Sequence, residues 1–190
     1  IQKVTETSPI ILGVDPNFDL MPTFLCPSSA DESSVETALY DFSRLNIEAT
    51  KGLVPAVKFQ SAYFEQFGTP GIRALSQSVA CAKENNLLVI MDGKRGDIGS
   101  TSMAYAKAYL QGGTSLANGL EIPSDLEVDC LTISPFLGED SLMPFVDIAI
   151  QEGKGLFLLV KTSNPGSSLF LDTMVEGRPM HHHLAQLVNK

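Results

Sequence analysis

The chain has 190 residues, 44% of them hydrophobic, and a formal net charge of −9, which is enough to bury the core of one domain spanning residues 1–190. The acidic balance argues against nucleic acid and against an anionic membrane as partners, because both attract basic surfaces. A small anionic ligand is compatible with it, since a local basic pocket can form in an acidic protein.

Five short apolar runs predict β-strands. The runs are continuous rather than alternating, which is typical of parallel strands covered on both faces. In chain order they are residues 9–15, 53–60, 86–92, 128–135 and 155–163.

Helical patterns lie between these runs. The sequence SSVE at residues 33–36 predicts a capping box at the start of the first helix. Thr69 and Pro70 predict an N-cap and a first helical position, and the second helix is expected over residues 70–85. Residues 112–124 are expected to form a loop. The remaining helices are predicted over residues 102–110, 141–150 and 182–188.

Strands that alternate with helices imply right-handed βαβ units and a parallel sheet. A doubly wound open sheet and a (β/α)8 barrel both fit, but neither a G-x-G-x-x-G nor a Walker A sequence occurs. Polar residues end all five strands, as in a barrel, so we predict an α/β fold of the (β/α)8 TIM-barrel type. Only about five of the eight βα units are present, and the chain stops within a predicted helix ending in QLVNK. The barrel is therefore expected to be truncated at its C-terminus.

Two further features bear on the compartment. No apolar run approaches the roughly 18 residues that span a bilayer, and the N-terminal IQKVTETSPIILG is too polar for a secretory signal. Cys26, Cys81 and Cys130 lack the spacing of metal ligands. They predict reduced thiols in a cytoplasmic protein.

Charged residues concentrate directly after the third strand. Asp92 and Lys94 are two residues apart and would share one face of an extended strand end. With Lys58 and Asp97 they would form an alternating array that pairs every charge, which favours partial burial and keeps Lys94 protonated as a proton donor. The alternative is a solvated surface loop with weak ion pairs.

The stretch DGKRGDIGST at residues 92–101 resembles the signature of the orotidine 5'-monophosphate decarboxylase family, in its longer-chain branch. GVDPNFD, AVKFQSAYFEQFG, TISPFLGEDSL and LLVKTSNPGS resemble the family's other strand motifs and follow in the family's order. The resemblance implies a barrel that converts orotidine monophosphate to UMP in cytoplasmic pyrimidine biosynthesis, without metal or organic cofactor.

The resemblance also implies catalytic roles. Lys94 would deliver the proton to C6 of the pyrimidine as carbon dioxide leaves, and Asp92 would lie against the substrate carboxylate. Lys58 would bind the ribose hydroxyls and join the charged array. Asp15 would contact the ribose or pyrimidine side of the nucleotide.

Other implied roles concern binding and assembly. Ser163 matches the serine that hydrogen-bonds the pyrimidine, and Asn164 is a second candidate for that contact. Asp97, Ile98 and Thr101 would belong to the active site of the neighbouring subunit, which implies a homodimer with shared sites. In this family the phosphate is held by loops after the seventh and eighth strands, which lie beyond the five strands predicted here.

Two alternative functions remain open. Lys161 in VKTSNPG resembles the Schiff-base lysine of deoxyribose-phosphate aldolase, which would make the protein another phosphosugar lyase or aldolase. Outside the enzymes, the protein would be a non-catalytic nucleotide-binding homologue. A lysine between two acids argues against pure binding, because binding alone does not require it.

Overall fold

The computed structural model describes residues 2–188. Within that range the strands are β1 (Ile11–Val14), β2 (Ala56–Gln60), β3 (Leu88–Arg95), β4 (Gly113–Ser115), β5 (Glu121–Pro123), β6 (Cys130–Ile133), β7 (Gly155–Leu158), β8 (Met174–Val175) and β9 (Arg178–Pro179). The central sheet has the order β1-β2-β3-β6-β7, and its neighbouring strands are all parallel. The predicted parallel sheet is therefore confirmed.

The helices lie between these strands. They are α1 (Gln2–Glu6), α2 (Glu32–Thr50), α3 (Ala62–Glu65), α4 (Thr69–Glu84), α5 (Gly99–Ala106), α6 (Glu139–Glu152), α7 (Ser168–Leu171) and α8 (Met180–Val188). A π-helical turn continues α5 over Lys107–Gln111, and short 3-10 turns cover Thr23–Leu25 and Pro165–Ser167. The helix expected to run through the C-terminal QLVNK is described as far as Val188, and Asn189 and Lys190 lie outside the described residues.

Three local predictions are wrong. The N-cap expected at Thr69 is Gly68, so Thr69 is the first residue of α4 and its side chain does not cap the helix. The capping box expected at residues 33–36 is absent, because α2 begins at Glu32 and its N-cap is Asp31, whose carboxylate accepts a hydrogen bond from the Ser34 backbone N–H at 2.9 Å. The loop expected over residues 112–124 contains an antiparallel hairpin formed by β4 and β5.

The order of the sheet decides between the two candidate architectures. A doubly wound sheet reverses its strand order at a switch point, so that later strands add on the other side of the first. Here each strand of the central sheet lies beside the one that precedes it in the chain, with the β4–β5 hairpin set apart. This progression in one direction is that of a partial (β/α)8 barrel.

The core lies between one face of the sheet and the helices. Val57 and Phe59 of β2 pair in register with Val89 and Met91 of β3, and Leu131 of β6 lies beside Met91; all five are fully buried. The helical side chains that complete this core are Leu39, Ile47, Phe64, Leu75 and Phe145. Each such side chain contributes about 1.5–3 kcal/mol on burial, so this face holds the sheet to its helices.

None of the helices described between residues 2 and 188 is both long and apolar enough to cross a bilayer.

Substitution of Gly71 in α4 tests how closely α4 packs against α3. A Cβ added at Gly71 would lie 1.8 Å from the Phe64 carbonyl oxygen, which is backbone and cannot move aside cheaply. Gly71→Ala is expected to lower the free energy of unfolding by about 1–3 kcal/mol in urea denaturation.

Whether Gly71→Ala lowers or raises the free energy of unfolding distinguishes the effect of packing from that of helix propensity. Alanine favours a helix interior by about 1 kcal/mol over glycine, so propensity alone predicts stabilisation. Ala80→Gly, at an exposed position of the same helix, is the control and should cost about 1 kcal/mol. A stabilised Gly71→Ala protein would contradict the close approach of α3 and α4.

Candidate active site

The pleat of the sheet separates the core from a polar cluster. Along β2, Val57 and Phe59 are buried in the core, whereas Lys58 and Gln60 alternate with them and lie on the opposite face. In register, Gln60 lies beside Asp92 of β3. The strand ends therefore bring polar side chains from neighbouring strands together on the face away from the helices.

Asp92 is the centre of this cluster. Its Oδ1 lies 2.7 Å from Lys94 Nζ and accepts a hydrogen bond from the Thr132 hydroxyl at 3.0 Å. Its Oδ2 lies 3.3 Å from Lys58 Nζ and accepts a hydrogen bond from the Gln60 amide at 3.1 Å. The side chain is only 13% exposed, so this carboxylate meets two ammonium groups with little water around it.

The ion pairs extend to the first strand. Lys58 Nζ also lies 3.8 Å from Oδ1 of Asp15, which follows β1. Asp15, Lys58, Asp92 and Lys94 thus form a row of alternating charge, here called the charge network. Such alternation offsets part of the desolvation cost that isolated charges would carry.

The environment of Asp92 sets its protonation. Burial raises the pKa of this carboxyl, but hydrogen bonds from Lys94 and Thr132 and the positive charge of Lys58 outweigh burial and hold the pKa below its ordinary value of 3.8. Asp92 is therefore ionised at neutral pH.

Lys94 reaches Asp92 from an irregular backbone. Opposite β6, the β3 register passes from Met91 beside Leu131 to Arg95 beside Ile133, so β3 contains two extra residues there. Lys94 itself has φ +47°, a left-handed conformation that is rare for a residue with a side chain. The predicted meeting of Asp92 and Lys94 is confirmed by their contact, but a regular extended strand end is not its cause. Bulges of this kind re-aim side chains beside active sites.

Arg95, the next residue, has a different task. Its guanidinium donates hydrogen bonds to the Glu65 carboxylate and to the Tyr109 hydroxyl, the latter at 3.0 Å. It also lies 5.4 Å from the centre of the Tyr105 ring, within cation–π range. Burial lowers the pKa of Arg95, but the contacts with Tyr109 and Glu65 raise this pKa by more than burial lowers it. The guanidinium therefore stays charged. Arg95 thus fastens the end of β3 to α3 and the α5 region.

Asp97 does not join the charge network. Between residues 2 and 188, no cation lies within ion-pair distance of it, and its Oδ1 accepts a hydrogen bond from the Ile98 backbone N–H at 2.7 Å. Ile98 is 64% exposed and Thr101 is exposed as well. The expected fourth member of the array is replaced within this chain by Asp15, and the segment from Asp97 to Thr101 lies on the surface.

The residues expected to bind the pyrimidine follow β7. Ser163 and Asn164 are exposed, and the Asn164 amide oxygen accepts a hydrogen bond from the Thr162 hydroxyl at 2.7 Å. Asn164 lines a cavity of about 510 Å³ whose wall also includes Ser134, Phe136, Leu159, Phe170 and Met180. Neither Ser163 nor Asn164 is hydrogen-bonded to the charge network. Ser163 and Asn164 therefore lie after β7, apart from the charge network of β1, β2 and β3.

Lys161 also lies apart from the charge network. Its ammonium forms an ion pair with Asp172, and its side chain is 37% exposed. His181 Nδ1 lies 3.4 Å from the same carboxylate. An exposed lysine held by a carboxylate lacks the desolvated setting that activates a Schiff-base lysine.

Two members of the cluster were missed in the sequence. Gln60 could have been found, because it lies two residues after Lys58 and alternation places both on one face. Thr132 could not be found from spacing alone, since its contact with Asp92 depends on how β6 pairs with β3.

The progressive order of the parallel strands, with a compact set of ionisable groups on one face, matches the (β/α)-barrel class of enzyme folds. Residues 28–188 match the family model for the orotidine 5'-phosphate decarboxylase / HUMPS family. The chain belongs to this family.

Individual relatives agree with this assignment. An orotidine 5'-phosphate decarboxylase of Rhodopirellula baltica is 42% identical over 183 residues, which cover 94% of this chain and 58% of that protein. One from Caldicellulosiruptor saccharolyticus is 37% identical over 188 residues, covering 96% and 61%. The chain thus spans about three fifths of the length of these relatives.

A solved structure shows the same fold. Leishmania donovani OMP decarboxylase is 28% identical and superposes with a TM-score of 0.71, covering 97% of this chain and 61% of that one. The predicted α/β barrel fold is confirmed by this likeness, with five strands of its sheet in the present chain.

The low pKa of Asp92 predicts how stability changes in acid. A carboxyl whose folded-state pKa is depressed contributes stability above its unfolded pKa, and this contribution is lost as the pH falls through the folded value. Asp92→Asn should therefore be less stable than the wild type at pH 7, and the difference should shrink as the pH falls below 3.8.

The measurement is urea unfolding of both proteins from pH 7 down to pH 2.5 or the lowest pH at which they fold. Asp125→Asn, which removes an exposed carboxyl outside the charge network, controls for the general effect of one charge fewer. A difference that stays constant or widens in acid would refute the depressed pKa of Asp92.

Proposed function

We propose that the protein decarboxylates orotidine 5'-monophosphate to UMP in pyrimidine biosynthesis. The observation that carries the proposal is the charge network, in which one largely buried carboxylate is shared by two ammonium groups from neighbouring parallel strands. The relatives named orotidine 5'-phosphate decarboxylase support a nucleotide as the substrate class.

Lys94 is proposed as the proton donor. Decarboxylation breaks the bond between C6 and the carboxylate carbon and leaves the electron pair on C6, which has no electron sink in the pyrimidine. A preorganised ammonium stabilises this developing negative charge. Lys94 Nζ then gives its proton to C6 and is reprotonated by water. No metal or organic cofactor is invoked, because the ammonium supplies the charge at the reacting carbon.

Asp92 and its neighbours complete the proposed reaction site. Asp92, ionised at neutral pH, would lie against the substrate carboxylate and disfavour the bound ground state relative to the neutral carbon dioxide that departs. Lys58, which contacts Asp92, would bind the ribose hydroxyls. Asp15, paired with Lys58, would contact the ribose or pyrimidine side of the nucleotide. Remote contacts of this kind contribute binding energy to the reaction.

Ser163 and Asn164 are proposed to recognise the pyrimidine. Both are exposed, and Asn164 lines the cavity of about 510 Å³ beside β6 and β7. An amide and a hydroxyl match the donors and acceptors on the edge of a pyrimidine ring. The mixed polar and apolar wall of the cavity is typical of small-molecule sites.

A homodimer with shared sites is proposed for the same protein. Asp97, Ile98 and Thr101 lie on the surface at the start of α5, and Asp97 has no cationic partner between residues 2 and 188. These positions match the family motif whose residues enter the neighbouring subunit's site, and this resemblance supports an interface at this surface. All three residues are proposed to enter the neighbouring active site.

A cytoplasmic location is proposed as well. Cys26, Cys81 and Cys130 are all free thiols. Burial raises the pKa of the Cys81 and Cys130 thiols, which makes them poor nucleophiles. Free, unreactive thiols suit a reducing compartment.

Replacing Lys94 tests the activity. Lys94→Ala in the full-length protein should lower turnover of orotidine monophosphate at least about a thousandfold, because it removes both the proton donor and the stabilising charge. Turnover is followed as loss of orotidine monophosphate absorbance, without added metal and again with chelator. Lys51→Ala, at an exposed lysine after α2, is the matched control and should keep wild-type turnover.

The outcomes separate the alternatives. Nucleotide binding without turnover by the wild type would indicate the non-catalytic homologue and refute the decarboxylase. If the wild type also fails to bind nucleotide, trapping Lys161 with borohydride and a phosphosugar would test the aldolase alternative.

Mixed dimers test the shared sites. A dimer of one Lys94→Ala subunit and one Asp97→Ala subunit, purified through two different tags, should recover about half the wild-type rate. If Asp97 acts across the interface, both defects fall in one site and the other site is intact.

The control dimer pairs Lys94→Ala with Lys58→Ala. Both residues belong to the charge network of one chain, so each site carries one defect and the dimer should remain nearly inactive. An inactive Lys94→Ala and Asp97→Ala dimer would show that Asp97 serves its own subunit.

A further inference from the structure

Thr132 links the two central groups of the charge network. Its hydroxyl oxygen accepts a hydrogen bond from the Lys94 backbone N–H at 2.9 Å, and the hydroxyl donates to Asp92 Oδ1 at 3.0 Å. An N–H can only donate and an ionised carboxylate can only accept, which fixes the direction of both bonds. The Met91 carbonyl oxygen is a second acceptor at 3.5 Å, longer and uncharged.

The Lys94 backbone needs such a support. Its φ of +47° is strained for a residue with a side chain, and conformations of this kind persist only where surrounding contacts enforce them. The two extra residues of β3 interrupt the backbone ladder with β6 at this point. At this point the Lys94 backbone N–H donates its hydrogen bond to the Thr132 hydroxyl of β6 instead.

The same hydroxyl also orients the carboxylate. Asp92 Oδ1 receives both Thr132 and the Lys94 ammonium, while Oδ2 receives Gln60 and Lys58. A hydroxyl on Oδ1 therefore helps to fix the plane of the carboxylate and, through it, the place of the Lys94 ammonium.

We propose that Thr132 is a positioning residue for the decarboxylation, holding the Lys94 backbone and the Asp92 carboxylate so that the ammonium is aimed at the reacting carbon. This inference rests on the proposed function. It assigns Thr132 no contact with the substrate, so its effect belongs to the chemical step rather than to nucleotide binding.

The test compares three variants of the full-length protein. Thr132→Val keeps the side-chain shape but removes the hydroxyl, and it should lower kcat about 10- to 100-fold with KM within about threefold, because small displacements of a catalytic group are costly. Thr132→Ser restores the hydroxyl and should keep kcat within about threefold of the wild type. Thr132→Ala removes the hydroxyl without a branched side chain and should show the same loss, should the valine protein fold poorly.

Thermal unfolding and a distant control complete the design. Thr114→Val, in the β4–β5 hairpin, makes the same chemical change away from the charge network and should leave kcat unchanged. Loss of kcat in the valine and alanine proteins, with recovery in the serine protein and folded state verified for each, supports the positioning role.

Three results would overturn it. One is a valine or alanine protein, folded, with kcat within about threefold of the wild type. Another is an equal loss in the serine protein, which would assign the effect to the methyl group and packing. The third is a wild-type protein without turnover, which refutes the proposed function and this inference together, and is recognised before any variant is compared.

Discussion

The arrangement depends on one carboxylate that is shared by two ammonium groups. Asp92 is almost buried, and it is stable as an anion there because Lys58 and Lys94 contact its two oxygens from different strands. The carboxylate between the two lysines offsets the repulsion of their like charges. The register of β2 and β3 is thus part of the chemistry, since it sets the separation of the charges.

Two adjacent residues at the end of β3 have different roles. Lys94 and Arg95 carry the same charge, yet Lys94 joins the charge network whereas Arg95 is held among Glu65, Tyr105 and Tyr109. The contacts of Arg95 with Glu65, Tyr105 and Tyr109 place its guanidinium on the face of the helices. Lys94 therefore belongs to the charge network, whereas Arg95 fixes the strand that carries both residues.

The sequence predicts features that depend on local patterns and misses those that depend on pairing. Apolar runs indicate the parallel strands, and the polar residues at and after the ends of these runs indicate Lys58, Asp92 and Lys94, which lie within β2 and β3 of the structure. Thr132 was missed because only the pairing of β6 with β3 brings it to Asp92. The start of α2 was misplaced because Asp31 competes with Ser33 as an N-cap, and both are good caps.

The two extra residues in β3 also make the length of this segment matter for the face that each cation takes. Side chains along a strand change face with every residue, so an even insertion preserves the faces and an odd one exchanges them. Loss of a single residue between Asp92 and Arg95 would turn the guanidinium toward the charge network and the ammonium of Lys94 toward the apolar helices. A change of one residue in the length of this stretch is therefore expected to exchange the environments of Lys94 and Arg95, whereas a change of two residues would preserve them.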